Sequence, residues 1–136
     1  MRLIYLTFAL LVIASLSAFN SPTEKTETPV LEEISAYLEN KNVDQLAQLF
    51  DQQVEISISG QSKAYAKAQA RQVIKSFVDQ NPPRKFNFDE QGTTLHMLYA
   101  LGVYSTDQSS FEVGVYLKKK GTDGQYKIDQ MRIERK

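Results

Sequence analysis

Apolar residues recur at helical spacing in three stretches of this chain. The first stretch begins at Pro29, whose missing N–H suits the first turn of a helix. The second follows Asn42, a good helix cap, and runs to Phe50. The third covers residues 63–80 and ends at Asn81-Pro82-Pro83, because proline disfavours helix in the residue before it. The positions predicted to be buried in these helices are Val30, Leu31, Ile34, Tyr37, Leu38, Val43, Leu46, Ala47, Leu49, Phe50, Ala66, Ala70, Val73, Ile74, Phe77 and Val78.

Alternating apolar and polar residues predict strands in most of the remaining chain. The first strand is Val54–Ile58, and residues 59–62 are predicted to form the turn before the third helix. Residues 93–104 form the most apolar segment after the N-terminal apolar run, with apolar residues on both faces, which is typical of a central strand covered on both sides. In this strand Leu95, Met97, Tyr99, Leu101 and Val103 share one face, and Leu98 and Ala100 share the other. Further strands are predicted around Phe86 and Phe88, from Phe111 to Leu117, and from Ile128 to Ile133.

The last two strands are joined by a turn whose sequence predicts their register. Thr122-Asp123-Gly124 fits a three-residue hairpin loop, so that residues 121 and 125 pair and Val115 faces Met131. A two-residue turn would shift the pairing by one position and place Val115 against Arg132. Because such a slip moves every side chain to the other face of the sheet, the three-residue loop is preferred.

This order of elements predicts one α+β domain over residues 30–136. The N-terminal helices would pack on one face of a curved antiparallel sheet, in a cone-shaped arrangement of helix, helix, strand, helix and strand meander. Such a scaffold carries many different functions, so the fold by itself does not name one.

The first eighteen residues have the composition of an export signal. Arg2 is the only charged residue there, and Leu3–Leu16 is an almost unbroken apolar run followed by small residues. This run is shorter than the roughly 20 residues that a membrane-spanning helix needs. We therefore predict a signal peptide at residues 1–18, a flexible polar leader at 19–29, and a periplasmic or extracellular bacterial protein. A retained N-terminal anchor is the alternative.

Composition excludes several classes of chemistry. The chain has no cysteine, which excludes disulfides, thiolate catalysis and cysteine-bound metals. Sixteen basic and sixteen acidic side chains balance, and a neutral chain without a basic stripe is a poor nucleic-acid binder. The single basic run, Lys118–Lys120, lies beside the predicted hairpin turn and is typical of a solvated hairpin end.

Catalytic motifs are also missing from the sequence. There is no glycine-rich phosphate loop and no metal-ligand spacing, and His96 is the only histidine. We predict no catalytic residue, no metal and no cofactor. The carboxylates leave one enzymatic alternative, in which Glu55 or Glu112 lies in a cavity and acts as a base together with a tyrosine.

Tyrosines on the predicted strands are the best candidates for recognition. A cavity between helices and sheet could use their hydroxyl groups to bind a ligand, although core packing is the more ordinary role of such residues. The candidate ligand-binding residues are Tyr99, Tyr104, Glu112, Tyr116 and Arg132.

Three segments resemble a known superfamily. Asn42–Phe50, Val54–Ile58 and the closing Met131-Arg132-Ile133 are similar to the cone-shaped, cystatin-like fold of nuclear transport factor 2-like and SnoaL-like domains. Lys67-Ala68-Gln69-Ala70, followed by Phe77, Asn81-Pro82 and Phe86, also resembles a small family of secreted bacterial proteins of unknown function. The superfamily includes isomerases, dehydratases and cyclases, and other members bind ligands or dimerise. No catalytic position of those enzymes matches a residue of this chain.

These observations lead to three hypotheses. The leading one is a non-catalytic exported domain that binds a small apolar ligand or a protein partner in the cone. The second is an isomerase- or dehydratase-like enzyme with a cavity carboxylate. The third is a dimerisation or structural module that uses the outer sheet face around Tyr116 and Arg132.

Overall fold

The computed structural model describes residues 29–122 and 124–136, in which three helices and six strands follow one another. The predicted signal peptide and nearly all of the leader lie outside the described residues and stay predictions. Within the described ranges, none of the helices combines the length and apolar character of a bilayer-spanning segment. The elements are α1 (Pro29–Glu39), α2 (Val43–Gln48), β1 (Phe50–Ile58), β2 (Gln61–Ala66), α3 (Lys67–Gln80), β3 (Lys85–Thr93), β4 (Met97–Ser105), β5 (Ser110–Lys120) and β6 (Gln125–Arg135).

The strands form one curved sheet with the order β2-β1-β6-β5-β4-β3. Neighbouring strands are antiparallel except β1 and β6, which run parallel. The helices pack on one face, which we call the inner face; the opposite face is the outer face. The predicted α+β class, with helices on a curved sheet, is therefore confirmed.

The core lies between the helices and the inner face. Each large apolar side chain buried there contributes roughly 1.5–3 kcal/mol through removal of its surface from water. Alternate residues of every inner strand point into it, as the period of two requires. Its buried apolar residues are Leu31, Ile34, Leu38, Val43, Leu46, Ala47, Phe50, Val54, Ile56, Ala70, Ile74, Phe77, Val78, Phe86, Leu98, Ala100, Tyr104, Phe111, Val113, Val115, Leu117, Ile128, Met131 and Ile133.

Strand β2 is a correction to the prediction of a turn followed directly by a long helix. Ser59 and Gly60 both have positive φ, 53° and 81°, and form a two-residue hairpin turn between β1 and β2. The alanines of residues 61–66 favour helix, but pairing with β1 provides ladder hydrogen bonds that outweigh this weak preference. Helix α3 therefore begins at Lys67.

The boundary between α2 and β1 is a second correction. Asn42 caps α2 as predicted, since its side chain accepts a hydrogen bond from the Gln45 backbone N–H. The helix ends at Gln48, and Phe50 is the first residue of β1, opposite Ile128 of β6. Phe50 is buried as predicted, but on a strand: the Ile128 N–H donates to the Leu49 carbonyl at 2.7 Å and holds the chain extended there.

The register of β5 and β6 is partly confirmed. Val115 pairs with Met131 as predicted. Close to the turn, however, Lys120 pairs with Gln125, so four residues rather than three lie in the loop. The register shifts by one between Tyr116 and Leu117, where Asp129 is the extra residue of a β-bulge. The bulge restores the apolar pairing that the longer loop would have displaced.

Strand β4 is covered on one face only, which corrects the expectation of cover on both. Leu98 and Ala100 are buried beneath the helices. On the outer face Met97, Tyr99, Leu101 and Val103 are half-buried, because no element of the described chain packs over them. Leu95 precedes the strand in an exposed loop and is 86% exposed.

Glycine at position 102 allows β3 and β4 to approach closely, which leads to a stability prediction. A Cβ at Gly102 would lie 2.9 Å from the Asn87 carbonyl carbon, so Gly102→Ala must displace backbone. We expect it to lower the free energy of unfolding by about 1–3 kcal/mol. Gly92→Ala is the matched control, because the three atoms nearest to its Cβ, the closest at 2.6 Å, all belong to the Tyr99 side chain, which can move more easily than backbone. Urea unfolding measures both, and an equal cost for the two variants would contradict the prediction.

Candidate functional site

The five residues predicted to bind a ligand are divided between the two faces of the sheet. Tyr104 points into the core from the inner face. Tyr99, Glu112, Tyr116 and Arg132 lie together on the outer face, where Tyr99 pairs with Tyr116 and Arg132 lies opposite Gly114. The structure therefore brings four of the five together, but outside the cone.

Tyr104 anchors the end of α3 to the sheet. It has no exposed surface, and its hydroxyl donates a 2.5 Å hydrogen bond to the carbonyl of Asn81, which caps α3. The rings of Phe77 and Phe111 pack against it at centroid distances of 5.4 and 6.2 Å. Burial raises the pKa of Tyr104 above its ordinary value. These contacts occupy the hydroxyl and the ring and assign Tyr104 to the core.

The middle of the outer face is apolar. The rings of Tyr99 and Tyr116 stack with centroids 6.3 Å apart. Tyr99 lies across Gly92, and Leu101 lies across Gly114, where an added Cβ would be 2.9 Å from the Leu101 Cδ2. The two glycines thus leave space that the larger side chains fill. We call this surface the outer patch; it consists of Met97, Tyr99, Leu101, Val103, Gly114 and Tyr116.

Charged residues of opposite sign lie at the two ends of the outer patch. At one end Glu112 faces Glu134 across the strands, and Arg132 Nε lies 3.3 Å from the Glu134 carboxylate. At the other end Lys118 faces Lys127, and Lys118 Nζ lies 2.9 Å from Asp129 Oδ2.

The ion pair at the basic end is formed at the bulge of β6. The hydrogen bond from Lys118 to Asp129 raises the pKa of Lys118 above its ordinary value. The other carboxylate oxygen of Asp129, Oδ1, is buried and has no hydrogen-bond partner among the described residues. The bulge therefore turns Asp129 towards Lys118 and leaves the second oxygen of the carboxylate without a donor.

An open groove of about 580 Å³ lies between α1 and the edge strand β3. Its floor is apolar: Leu31 is 2% exposed, and the half-buried Phe88 packs edge-on against Phe86 at 4.8 Å. Its rim carries the exposed carboxylates of Glu32, Glu39 and Asp89. The lining also includes Ser35, Ala36, Asn87 and Gln91, and contains no basic residue.

Local sequence explains how the groove forms. Ser35 and Ala36 are small residues on the face of α1 that lies beside β3, and they leave space above the strand. On β3 the register shifts between Phe88 and Glu90, so Asp89 is the extra residue of a β-bulge. A bulge redirects side chains, and here it places a carboxylate beside the Phe88 ring. The groove therefore combines an apolar surface with negative charge.

The structure locates the proposed bases away from this groove. Glu55 and Glu112 are both exposed on the outer face, and Glu55 accepts a 2.7 Å hydrogen bond from Ser62. His96 is exposed in the loop before β4. Neither carboxylate is a cavity base, which removes the enzymatic hypothesis in the form that the sequence offered. Among residues 29–122 and 124–136, no group of three or more His, Cys, Asp or Glu side chains has the geometry of a metal site.

None of the groove residues was predicted as a site from the sequence. One signal was present: Glu32 and Glu39 are seven positions apart and flank the small pair Ser35-Ala36, so all four lie near one helix face. The position of β3 beside that face depends on the sheet topology, which a local sequence pattern does not predict.

Comparison with known proteins identifies the family. A family model described as "Domain of unknown function (DUF4783)" matches residues 31–134. A crystal structure of a DUF4783 family protein from Bacteroides ovatus is similar over 76% of this chain and 92% of its own, with 24% identity and a TM-score of 0.72. A DUF4783 family protein from Bacteroides uniformis is similar over 79% and 97%, with 22% identity and a TM-score of 0.74.

More distant structures share the fold. A candidate ketosteroid isomerase from Shewanella frigidimarina is similar over 78% of this chain and 92% of its own, at 15% identity and a TM-score of 0.62. Identities this low establish the fold alone, and they confirm the nuclear transport factor 2-like resemblance at that level. No curated protein matches the chain. The chain belongs to the DUF4783 family, a family of unknown function with a nuclear transport factor 2-like fold.

Proposed function

We propose that this protein is a non-catalytic, exported binding domain whose ligand is a small molecule with an apolar body and a positively charged group. The groove between α1 and β3 is the proposed site. The observation that carries the proposal is the combination of an apolar floor, Leu31 and Phe88, with a rim of carboxylates and no basic lining residue. Concave, partly apolar surfaces with a few polar groups are typical of small-molecule sites.

The two parts of the groove have different roles in this proposal. Apolar surface that a ligand covers stabilises the complex by about 25 cal/mol per Å². The carboxylates of Glu32, Glu39 and Asp89 are exposed, so water and salt screen their attraction for a cation. Leu31 is already buried, so the half-buried Phe88 ring provides the apolar contact, and we expect the rim to select the charge of the ligand.

A matched set of eight-carbon compounds tests the proposal. Octylammonium, octanol and octanoate share one apolar body and differ in charge, and amide chemical-shift changes report where each binds. We expect octylammonium to bind about tenfold more tightly than octanoate at low salt, with octanol between them, and this preference to fall at high salt. Equal affinity of the ammonium and the carboxylate, or shifts confined to residues outside the groove, would refute the proposal.

Two substitutions separate the floor from the rim. Ala36→Leu fills the groove at little cost in helix propensity and should abolish binding of all three compounds. Ala68→Leu, at an exposed position of α3, is its control. Glu39→Gln should weaken octylammonium and leave octanol unchanged, whereas Glu33→Gln, exposed on α1 but outside the groove lining, should alter neither.

A further inference from the structure

We propose that the free edge of β2 binds an extended, acidic segment of another protein, which joins the sheet as an additional antiparallel strand. β2 is the last strand at one edge of the sheet. The proposal is independent of the groove, which lies beside β3 at the opposite edge. It rests on the backbone groups that β2 directs away from the sheet, on the lack of protection of this edge, and on its positive charge.

Every second residue of β2 directs its backbone N–H and C=O groups away from the sheet. The Ser59 N–H donates to the Ile133 carbonyl of β6 at 3.0 Å, so the odd-numbered residues at this end of β1 point to β6 and the even-numbered ones to β2. The even-numbered residues of β1 pair with the odd-numbered residues of β2. Ser62, Ala64 and Ala66 therefore point their backbone groups to the free edge.

These backbone groups are available to a partner strand. β2 has no neighbouring strand on this side among the described residues. Ala66 is the N-cap of α3, and the carbonyl of an N-cap residue accepts the first hydrogen bond of its helix. The N–H groups of Ser62, Ala64 and Ala66 and the carbonyls of Ser62 and Ala64 remain. Main-chain pairing of this kind is how extended peptides add to the edge of a sheet.

The two edges of the sheet differ in their protection against such pairing. The edge strand β3 has a bulge at Asp89 and a second carboxylate at Glu90, and bulges and charges discourage the approach of another strand. β2 pairs with β1 in an unbroken register and contains no proline. Its edge-directed residues Ser62, Ala64 and Ala66 are small and exposed. A strand can therefore approach β2 without displacing a large side chain.

The charge beside β2 indicates which partner fits. Lys63 is exposed and its Nζ lies 5.3 Å from the centre of the Tyr65 ring, and Lys67 follows as the first residue of α3. Neither lysine forms an ion pair with another described residue. A second copy of β2 would bring the same positive charges and be repelled. An acidic segment is attracted instead, so charge complementarity selects it as the occupant.

The pairing geometry specifies the pattern of the acidic segment. Residues directly opposite each other in an antiparallel pair lie on the same face. Lys63 and Tyr65 pair with the buried Ile56 and Val54, so they lie on the side of the inner face. Carboxylates of the segment belong on that side. The alternate positions, opposite the small residues on the outer side, have space for apolar side chains.

An open hollow of about 500 Å³ continues the edge at the α3 end of β2. Ala47, Ala66 and Ala68 make part of its surface apolar, and their small side chains leave the space. The charges beside it are Lys67 and the ion pair of Arg71 with Asp44. The end of a bound strand can therefore place an apolar side chain in the hollow and a carboxylate near Lys67.

The first experiment compares two capped peptides, EVEVEVE and KVKVKVK, added to the protein purified from its own host. Amide chemical-shift changes locate binding, and fluorescence anisotropy measures affinity. At β2 we expect EVEVEVE to bind at least about tenfold more tightly than KVKVKVK at low salt, and this preference to fall at high salt. Equal affinity at β2, or shifts of EVEVEVE confined to residues outside 61–68, would overturn the proposal.

N-methylated peptides test the hydrogen bonds without changing the protein. In the proposed pairing the valines lie opposite Ser62, Ala64 and Ala66 and turn their N–H groups to β2. EVEVEVE methylated on the valine nitrogens should therefore lose binding, whereas methylation on the glutamate nitrogens should leave it intact. The reverse result would overturn the antiparallel direction, and equal effects of the two modifications would overturn strand addition.

Substitutions in β2 provide the complementary test. Ala64→Pro removes an edge-directed N–H without touching the β1 ladder and should raise the dissociation constant of EVEVEVE at least about tenfold. Ala64→Thr keeps the N–H and suits a strand, so it should bind as the wild type does. Lys63→Glu should weaken binding about threefold, whereas Lys85→Glu, the same change on β3, should not. Unchanged binding in Ala64→Pro would overturn the site. A dimer that only Ala64→Pro dissociates would make a second copy the occupant and overturn the acidic partner.

Discussion

Replacing Phe50 with alanine is expected to lower the free energy of unfolding by about 3–5 kcal/mol. Phe50 is only 1% exposed and begins β1, where it pairs with Ile128, itself fully buried. The substitution deletes an aromatic ring that is shielded from water in the folded protein. It also leaves a cavity, because pairing with the fully buried Ile128 of β6 holds the strand in place and the close-packed core cannot fill the space.

Urea unfolding followed by circular dichroism measures the cost of Phe50→Ala. Leu95→Ala is the control, because it truncates a large apolar side chain that is 86% exposed, and it should change stability by less than about 0.5 kcal/mol. A Phe50→Ala cost similar to that of Leu95→Ala would show that Phe50 is not in the core.

Replacing Phe77 with alanine should have an effect of the same size, about 3–5 kcal/mol, for a different reason. Phe77 lies on α3 and joins the helix to the sheet through aromatic contacts. Its ring packs edge-on against Phe111 at 5.1 Å and tilted against Tyr104 at 5.4 Å. Such aromatic pairs contribute about 0.5–1.5 kcal/mol beyond the area that they bury.

A second substitution at the same position separates volume from aromatic geometry. Phe77→Leu retains most of the apolar volume but loses both ring contacts, and it should cost about 1–2 kcal/mol. A tenfold or smaller change in the unfolding equilibrium for Phe77→Ala would mean that α3 does not depend on this cluster. In that case the anchoring of α3 would rest on the hydrogen bond from Tyr104 to Asn81.

Local signals predicted much of the fold correctly. The proline at the start of α1, the Asn42 cap of α2 and the proline stop after α3 depend on backbone chemistry within a few residues. The pairing of Val115 with Met131 follows from matching apolar positions on two adjacent strands. The burial of Phe50 and Phe77 follows from hydrophobic spacing, whichever element carries each residue.

The location of the candidate site was harder to predict from local sequence. The five candidate residues were predicted to line a cavity between helices and sheet, and four of them lie together on the outer face instead. Their assignment to a cavity was a separate inference, because alternation along a strand shows which residues share a face but not which face the helices cover. In the sequence, Leu98 and Ala100 on one face are as apolar as Met97 and Leu101 on the other, so the pattern does not show which face the helices cover.

What the amino-acid pattern alone established is the three helices and five of the six strands of the described chain, the α+β class and most of the residues that avoid water, since propensity, capping and hydrophobic period act over a few positions. Tertiary structure decided the rest. Pairing with β1 made residues 61–66 a strand, the bulge at Asp129 corrected the hairpin register, and the single helical layer left one apolar face of β4 uncovered. Each of these outcomes depends on segments far apart in the chain, and their contact energies exceed the local preferences that a sequence pattern records.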